Sequence, residues 1–171
     1  MLPLLTILHP SRRPTSSFLI NPVDGEFRPN DNGRQSRRSA ANITSWRYLL
    51  VESDNAESTD WLAAMVQMPL PISAIYASGG RSTHALVRVD AESKAHWDRI
   101  AASLKPALIV LGADPGAMTA VRLSRLPCCE RLGTTDRHGI YNPFSDGPHL
   151  QRLLYLNPTP DSTPVCERGT F

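Results

Sequence analysis

Apolar and polar positions alternate along this chain with two different periods, and the switches between them mark the elements. Arg47 to Asp54 reads Arg-Tyr-Leu-Leu-Val-Glu-Ser-Asp, an apolar run that predicts a strand. Ser58-Thr-Asp60 has the residue types of a helix start. Trp61, Leu62, Met65 and Val66 then recur at helical spacing up to Gln67, and Met68-Pro-Leu-Pro71 breaks the pattern. Ile72 to Ala77 and Thr83 to Asp90 predict two strands joined at the turn signal Ser78-Gly-Gly80, which together suggest a hairpin. Around the second strand Ser82, His84 and Arg88 share one face and Ala85, Val87 and Val89 the other, as in an antiparallel sheet packed on one side. Ala91 to Leu104 predicts an amphipathic helix with Trp97, Ile100, Ala101 and Leu104 as its buried stripe, ended by Pro106.

The flanking pattern is less regular. Residues 1–16 hold a short apolar strand candidate, and Ser16 to Val23 a second. Phe27 to Ala41 is polar and basic and reads as a flexible loop, with Arg34, Arg37 and Arg38 able to touch template phosphates or simply solvated. Ala107 to Leu111 is a short apolar run leading to Gly112-Ala-Asp114. Val121 to Pro127 interleaves basic and apolar residues, Gly133 to Pro148 is a loop, and Gln151 to Leu156 is a last strand. The order βαββαβ predicts an α+β, RRM-like and mostly antiparallel sheet with its helices on one face. Residues 42–158 form the core, residues 1–41 belong to the same domain, and 159–171 form a disordered tail.

Composition changes this picture little. The 171 residues suit one domain. Their 41% apolar and 20% charged content is ordinary for a soluble protein, and a net charge of +2 implies no nucleic-acid partner by itself. Cys128 and Cys129 are adjacent and Cys166 stands apart, with no metal-finger spacing, so a reducing cytoplasm is expected. Met1 to His9 lacks the features of a signal peptide, and no run is long enough to span a membrane.

Candidate chemistry starts at Glu52 and Asp54. Two apart on a strand, they point the same way, and carboxylates held that close repel unless a cation lies between them. Hard oxygen donors favour Mg2+ or Mn2+. The plain alternative is that the strand ends there and its acids face water. Asp114, in Gly-Ala-Asp-Pro-Gly, has the residue types of a turn. Arg122 and Arg125 carry forks suited to phosphate oxygens. Three apart, only one should reach a ligand; on parity that is Arg122, unless it pairs with Glu130 or Glu52. Ser82 and His84 run outward in parallel, a poor nucleophile–base pair. Trp61 and Trp97 belong to the core. Tyr76 is either a sugar-discriminating aromatic or a core strand residue.

Taken together, Val51-Glu52-Ser53-Asp54, Ser82-Thr83-His84 and Asp114 resemble the three motifs of the archaeo-eukaryotic primase superfamily. The runs from Asn42 to Asp54 and from Leu70 to Asp90, with Arg122-Leu-Ser-Arg-Leu-Pro127, are closer to its bacterial and mobile-element primase-polymerase branch. The resemblance covers roughly residues 18 to 158. It implies template-directed nucleotidyl transfer with two divalent ions, Mg2+ or Mn2+, held by Glu52, Asp54 and Asp114. It also implies that Ser82, His84, Arg122 and Arg125 bind the incoming nucleoside triphosphate. The implied partners are a single-stranded DNA template, nucleoside triphosphates and a replicative helicase. Cys128 departs from the pattern, because the family usually has Gly after Arg-Leu-Pro. The competing readings are a nucleotide- or nucleic-acid-binding module of the same fold without turnover, and a metal-dependent nuclease or phosphohydrolase.

Overall fold

The computed structural model describes residues 17–160. The strand candidate in residues 1–16, Cys166 and most of the expected tail lie outside them. Six strands and two helices place the site: β1 (Ser17–Leu19), β2 (Trp46–Ser53), α1 (Ser58–Gln67), β3 (Ile72–Ala77), β4 (Thr83–Ala91), α2 (Lys94–Val110), β5 (Leu123–Arg125) and β6 (Leu153–Leu156). The fold is α+β, and every strand pair is antiparallel.

The main sheet has the order β6-β3-β4-β2. β4 therefore lies between β2 and β3, which are joined through α1; this is one split β-α-β unit. A second such unit would set the last strand beside β2. β6 instead pairs with β3 at the opposite edge, so the full RRM-like order is not reproduced.

Period-2 alternation gives the sheet two different faces. Leu49, Val51, Ile75, Ala85, Val87 and Val89 point to the side where Trp61 and Met65 of α1 and Trp97, Ile100 and Leu108 of α2 bury themselves. Both helices thus cover one face, as expected. Each tryptophan also donates its indole N–H to a strand carbonyl, Trp61 to Thr83 at 2.9 Å and Trp97 to Tyr48 at 3.0 Å. Val66, placed on the same stripe by its spacing, is 62% exposed. On the other face Leu50, Ala74, Tyr76 and Leu86 form a smaller cluster with Ile20 and Phe18. That cluster is roofed by β1, which pairs with β5.

Several local expectations change. Pro106 does not end α2, which continues to Val110 and absorbs the apolar run as far as that residue, with Leu111 as its C-cap. Proline removes one N–H from the ladder, but Leu108, 1% exposed, anchors the following turn in the core. The basic loop 27–41 contains a short hairpin pairing Arg28–Pro29 with Gln35–Ser36. It is clasped by Asp24, whose carboxylate takes Asn42, the Glu26 amide and Arg28; these bonds lower its pKa to about 2. The loop 133–148 holds another hairpin, Gly133–Thr135 with Tyr141–Pro143. The last strand starts at Leu153, because Gln151 is buried and ties down residues 126–129: its side chain donates to Leu126 O at 2.7 Å, and its backbone pairs with Cys128 and Cys129.

Candidate functional site

The site grows from one row across the main sheet. Cross-strand register sets Glu52 opposite His84, and His84 opposite Tyr76, all on the face away from the helices. β5 crosses above this row and drops Ser124 onto it. The Ser124 hydroxyl is 2.5 Å from the Tyr76 hydroxyl and 2.9 Å from His84 Nδ1. His84 Nε2 is 2.8 Å from Glu52 Oε2, and Arg122 Nη2 donates to Glu52 Oε1.

Counting hydrogens fixes the directions. A neutral His84 with its proton on Nε2 donates to Glu52 and accepts at Nδ1 from Ser124, whose oxygen accepts from Tyr76. Every hydroxyl hydrogen then has one acceptor. A proton on Nδ1 would turn the Ser124 bond around and leave one buried hydroxyl hydrogen without a partner, which is costly. This pattern also settles the Ser82–His84 relation. The two side chains do converge, at 3.2 Å, contrary to the expectation that they run parallel. Yet Nε2 is the donor to Glu52 and has no lone pair to take a proton from Ser82. The pair is no hydrolase dyad.

Glu52 is 4% exposed. Burial works against its ionisation, but the His84 hydrogen bond and the charge and hydrogen bond of Arg122 outweigh it and hold the carboxyl below its usual 4.5. Burial pushes the Tyr76 phenol well above its usual range, and the Glu52 charge adds to the effect. Tyr76, with no exposed surface, is thus a core strand residue whose hydroxyl completes the row.

Above the row lies an open cleft of about 670 Å³, within the ~300–1,000 Å³ typical of small-molecule sites. Glu52, Asp54, Ser82, His84, Arg122 and Arg125 all line it, so six of the seven expected site residues come together. Both Arg122 and Arg125 reach the cleft, where only one was expected to. The pairing of Arg122 with Glu52, weighed against a ligand role in the sequence, is what the structure contains.

Asp114 is the exception. Its backbone N–H donates to the Glu52 carbonyl at 2.8 Å, but its carboxylate accepts from Gly116 N at 2.8 Å and closes its own turn. β2 ends at Ser53, so Asp54 stands in the bend beyond the strand, exposed at the cleft. Among the described residues no group of three His, Cys, Asp or Glu side chains is placed to hold a metal ion. Both Glu52 oxygens are already engaged, by Arg122 and His84. As arranged, the three carboxylates do not form one shared ligand set.

Two cleft arginines fell outside the sequence reading or at its margin. Arg81 follows the Gly79-Gly80 turn, and Arg131 reaches in from beyond β5. A Cβ on Gly80 would lie 2.6 Å from Arg131 Nη1, so the glycine makes room for that guanidinium. Burial and the neighbouring Arg125 charge lower the Arg131 pKa, opposed by Asp54. The signal for Arg81 was its place directly after Gly-Gly. Ser124 was legible only as the residue between two arginines.

No family model, no curated protein and no solved structure matches this chain. Among the described residues no helix is long and apolar enough to cross a membrane.

Proposed function

We propose that the cleft binds the polyphosphate of a nucleoside triphosphate, and that the chain is a primase-polymerase core carrying out template-directed nucleotide addition. One observation carries this reading: the cleft holds more cationic charge than it neutralises. Four arginines, Arg81, Arg122, Arg125 and Arg131, face two carboxylates, Glu52 and Asp54. Arg81 and Arg125 have no ion-pair partner among the described residues. The Arg122 Nε is buried without an acceptor. The Arg125 charge is close enough to act on Arg131. A polyanion in the cleft neutralises the excess charge of these guanidinium groups.

In this arrangement Arg81, Arg122 and Arg125 bind and orient the phosphates, while Ser82 and His84 act beneath them. His84 is committed to Glu52 and Ser124, so it positions the carboxylate rather than offering a free donor. Asp54 is the exposed carboxylate at the reacting end. A second reading, nucleotide binding without turnover, is favoured by the double engagement of Glu52 and the turned carboxylate of Asp114.

The test is nucleotide incorporation on a single-stranded template with Mg2+ or Mn2+, with and without a primer. Wild type should extend and release pyrophosphate, and Asp54→Ala should not. Binding of inorganic tripolyphosphate that weakens in Arg125→Ala, with no extension in wild type, would establish the second reading. Cleavage of DNA without pyrophosphate release would indicate a nuclease instead.

A further inference from the structure

Opposite in character to the arginines, one part of the cleft wall is aromatic. Phe144, from the loop after the 133–143 hairpin, lines the cleft yet belongs to neither apolar cluster of the core. Its ring is nonetheless fixed. It stacks on His149 with 4.0 Å between centroids and 12° between planes. His149 is itself held at both ring nitrogens, Nδ1 at 3.2 Å from Gly79 O and Nε2 at 3.0 Å from the Asp146 carboxylate. The Phe144 amide donates to Leu132 O at 3.0 Å. The Arg131 guanidinium carbon lies over the ring, 5.5 Å from its centre. Leu123, 44% exposed, is the other apolar side chain in the lining.

A half-buried ring immobilised by a hydrogen-bonded histidine contributes nothing to the main core, so its rigidity serves the cleft. A nucleotide has the matching polarity, anionic at one end and a flat π-system at the other. We propose that the Arg131 guanidinium, carried over the Phe144 ring that His149 backs, forms with that ring the surface against which the base of the bound nucleotide stacks. This rests on the polyphosphate reading of the same cleft. Stacking accepts every base, since each has a π-face. The surface therefore holds all four nucleotides alike and leaves the choice among them to the template.

The experiment compares wild type, Phe144→Ala and Phe144→Leu for binding of inorganic tripolyphosphate and of each of the four nucleoside triphosphates. The expected result is tripolyphosphate affinity kept in both variants, with all four nucleotides weakened roughly tenfold in Phe144→Ala, the size of one base–aromatic stack. Phe144→Leu should fall in between. Nucleotides that bind wild type no better than tripolyphosphate, or that are unaffected by Phe144→Ala, overturn the inference and leave the phosphate site standing. Equal weakening of tripolyphosphate and nucleotides in both variants also overturns it, because Phe144 then only shapes the cleft. Absence of tripolyphosphate binding in wild type removes the phosphate reading and this inference with it.

Discussion

Cys128 shows how one position can be read from sequence and still need coordinates for its meaning. The sequence alone marks it only as the first of two adjacent cysteines. The structure gives it φ 65°, the left-handed region that costs a side-chain-bearing residue roughly 1–2 kcal/mol. Its amide is held by Gln151 O at 2.7 Å, so the chain cannot relax out of that conformation cheaply. Cys128→Gly should therefore stabilise the protein by about 0.5–1 kcal/mol, the strain relieved less the extra freedom glycine brings to the unfolded chain. A higher urea midpoint at unchanged slope is the expected result; a lower one would mean that the thiol contributes more than the strain costs. The same gap separates type from role elsewhere. Arg122 was visible as a phosphate-type side chain, but its commitment to Glu52 depends on how β5 crosses the sheet, and no local pattern encodes that crossing.

At the scale of elements, periodicity located β2, β3, β4, α1 and α2 because each has a buried face and a repeat long enough to read. It failed where a distant contact decides. Pro106 is a local stop signal overruled by Leu108, which reaches the core two residues later. Pro106→Ala should restore the missing ladder bond and raise stability by about 1–2 kcal/mol, below the ~3 kcal/mol cost of an interior proline because alanine also frees the unfolded chain. Thermal unfolding measures this, and no gain would mean that the helix has fully accommodated the ring. The short hairpins at residues 28–36 and 133–143 carry no alternating run to read, being held by turns and side-chain clasps. The edge chosen by β6 was equally illegible: Leu153 to Leu156 reads as strand wherever it pairs.

For the whole molecule, the buried Glu52–His84–Arg122 group couples the cleft to acid stability. The Glu52 pKa is lower folded than unfolded, so its ionised form stabilises the fold fully above about 4.5, and that contribution is lost as pH falls through the lower folded value. Glu52→Gln removes the titrating group and keeps its shape. Its deficit relative to wild type should be largest at neutral pH and shrink steadily below 4.5, as read from denaturant midpoints across the pH range. A deficit that stayed constant would place the acid sensitivity elsewhere. The α+β class, though not the strand order, and six of the residues that line the cleft were legible in the sequence because side-chain facing follows from hydrophobic alternation. The partners of each carboxylate were not, because a carboxylate's rotamer and contacts are set by loops.

The row beneath the cleft also has a kinetic meaning. Its bonds join residues far apart in the chain, 48 positions for Tyr76 and Ser124, 40 for His84 and Ser124, and 70 for Glu52 and Arg122. Loops of that length close late, since their entropy is lost before the contacts return anything. A refolding chain therefore acquires its hairpins and helices before it acquires a cleft. A nascent chain stalled short of Ser124 has the sheet residues of the site, with Glu52 and His84 paired across their strands, but lacks the segment that closes over them, and the proposed recognition of a polyanion would wait for it.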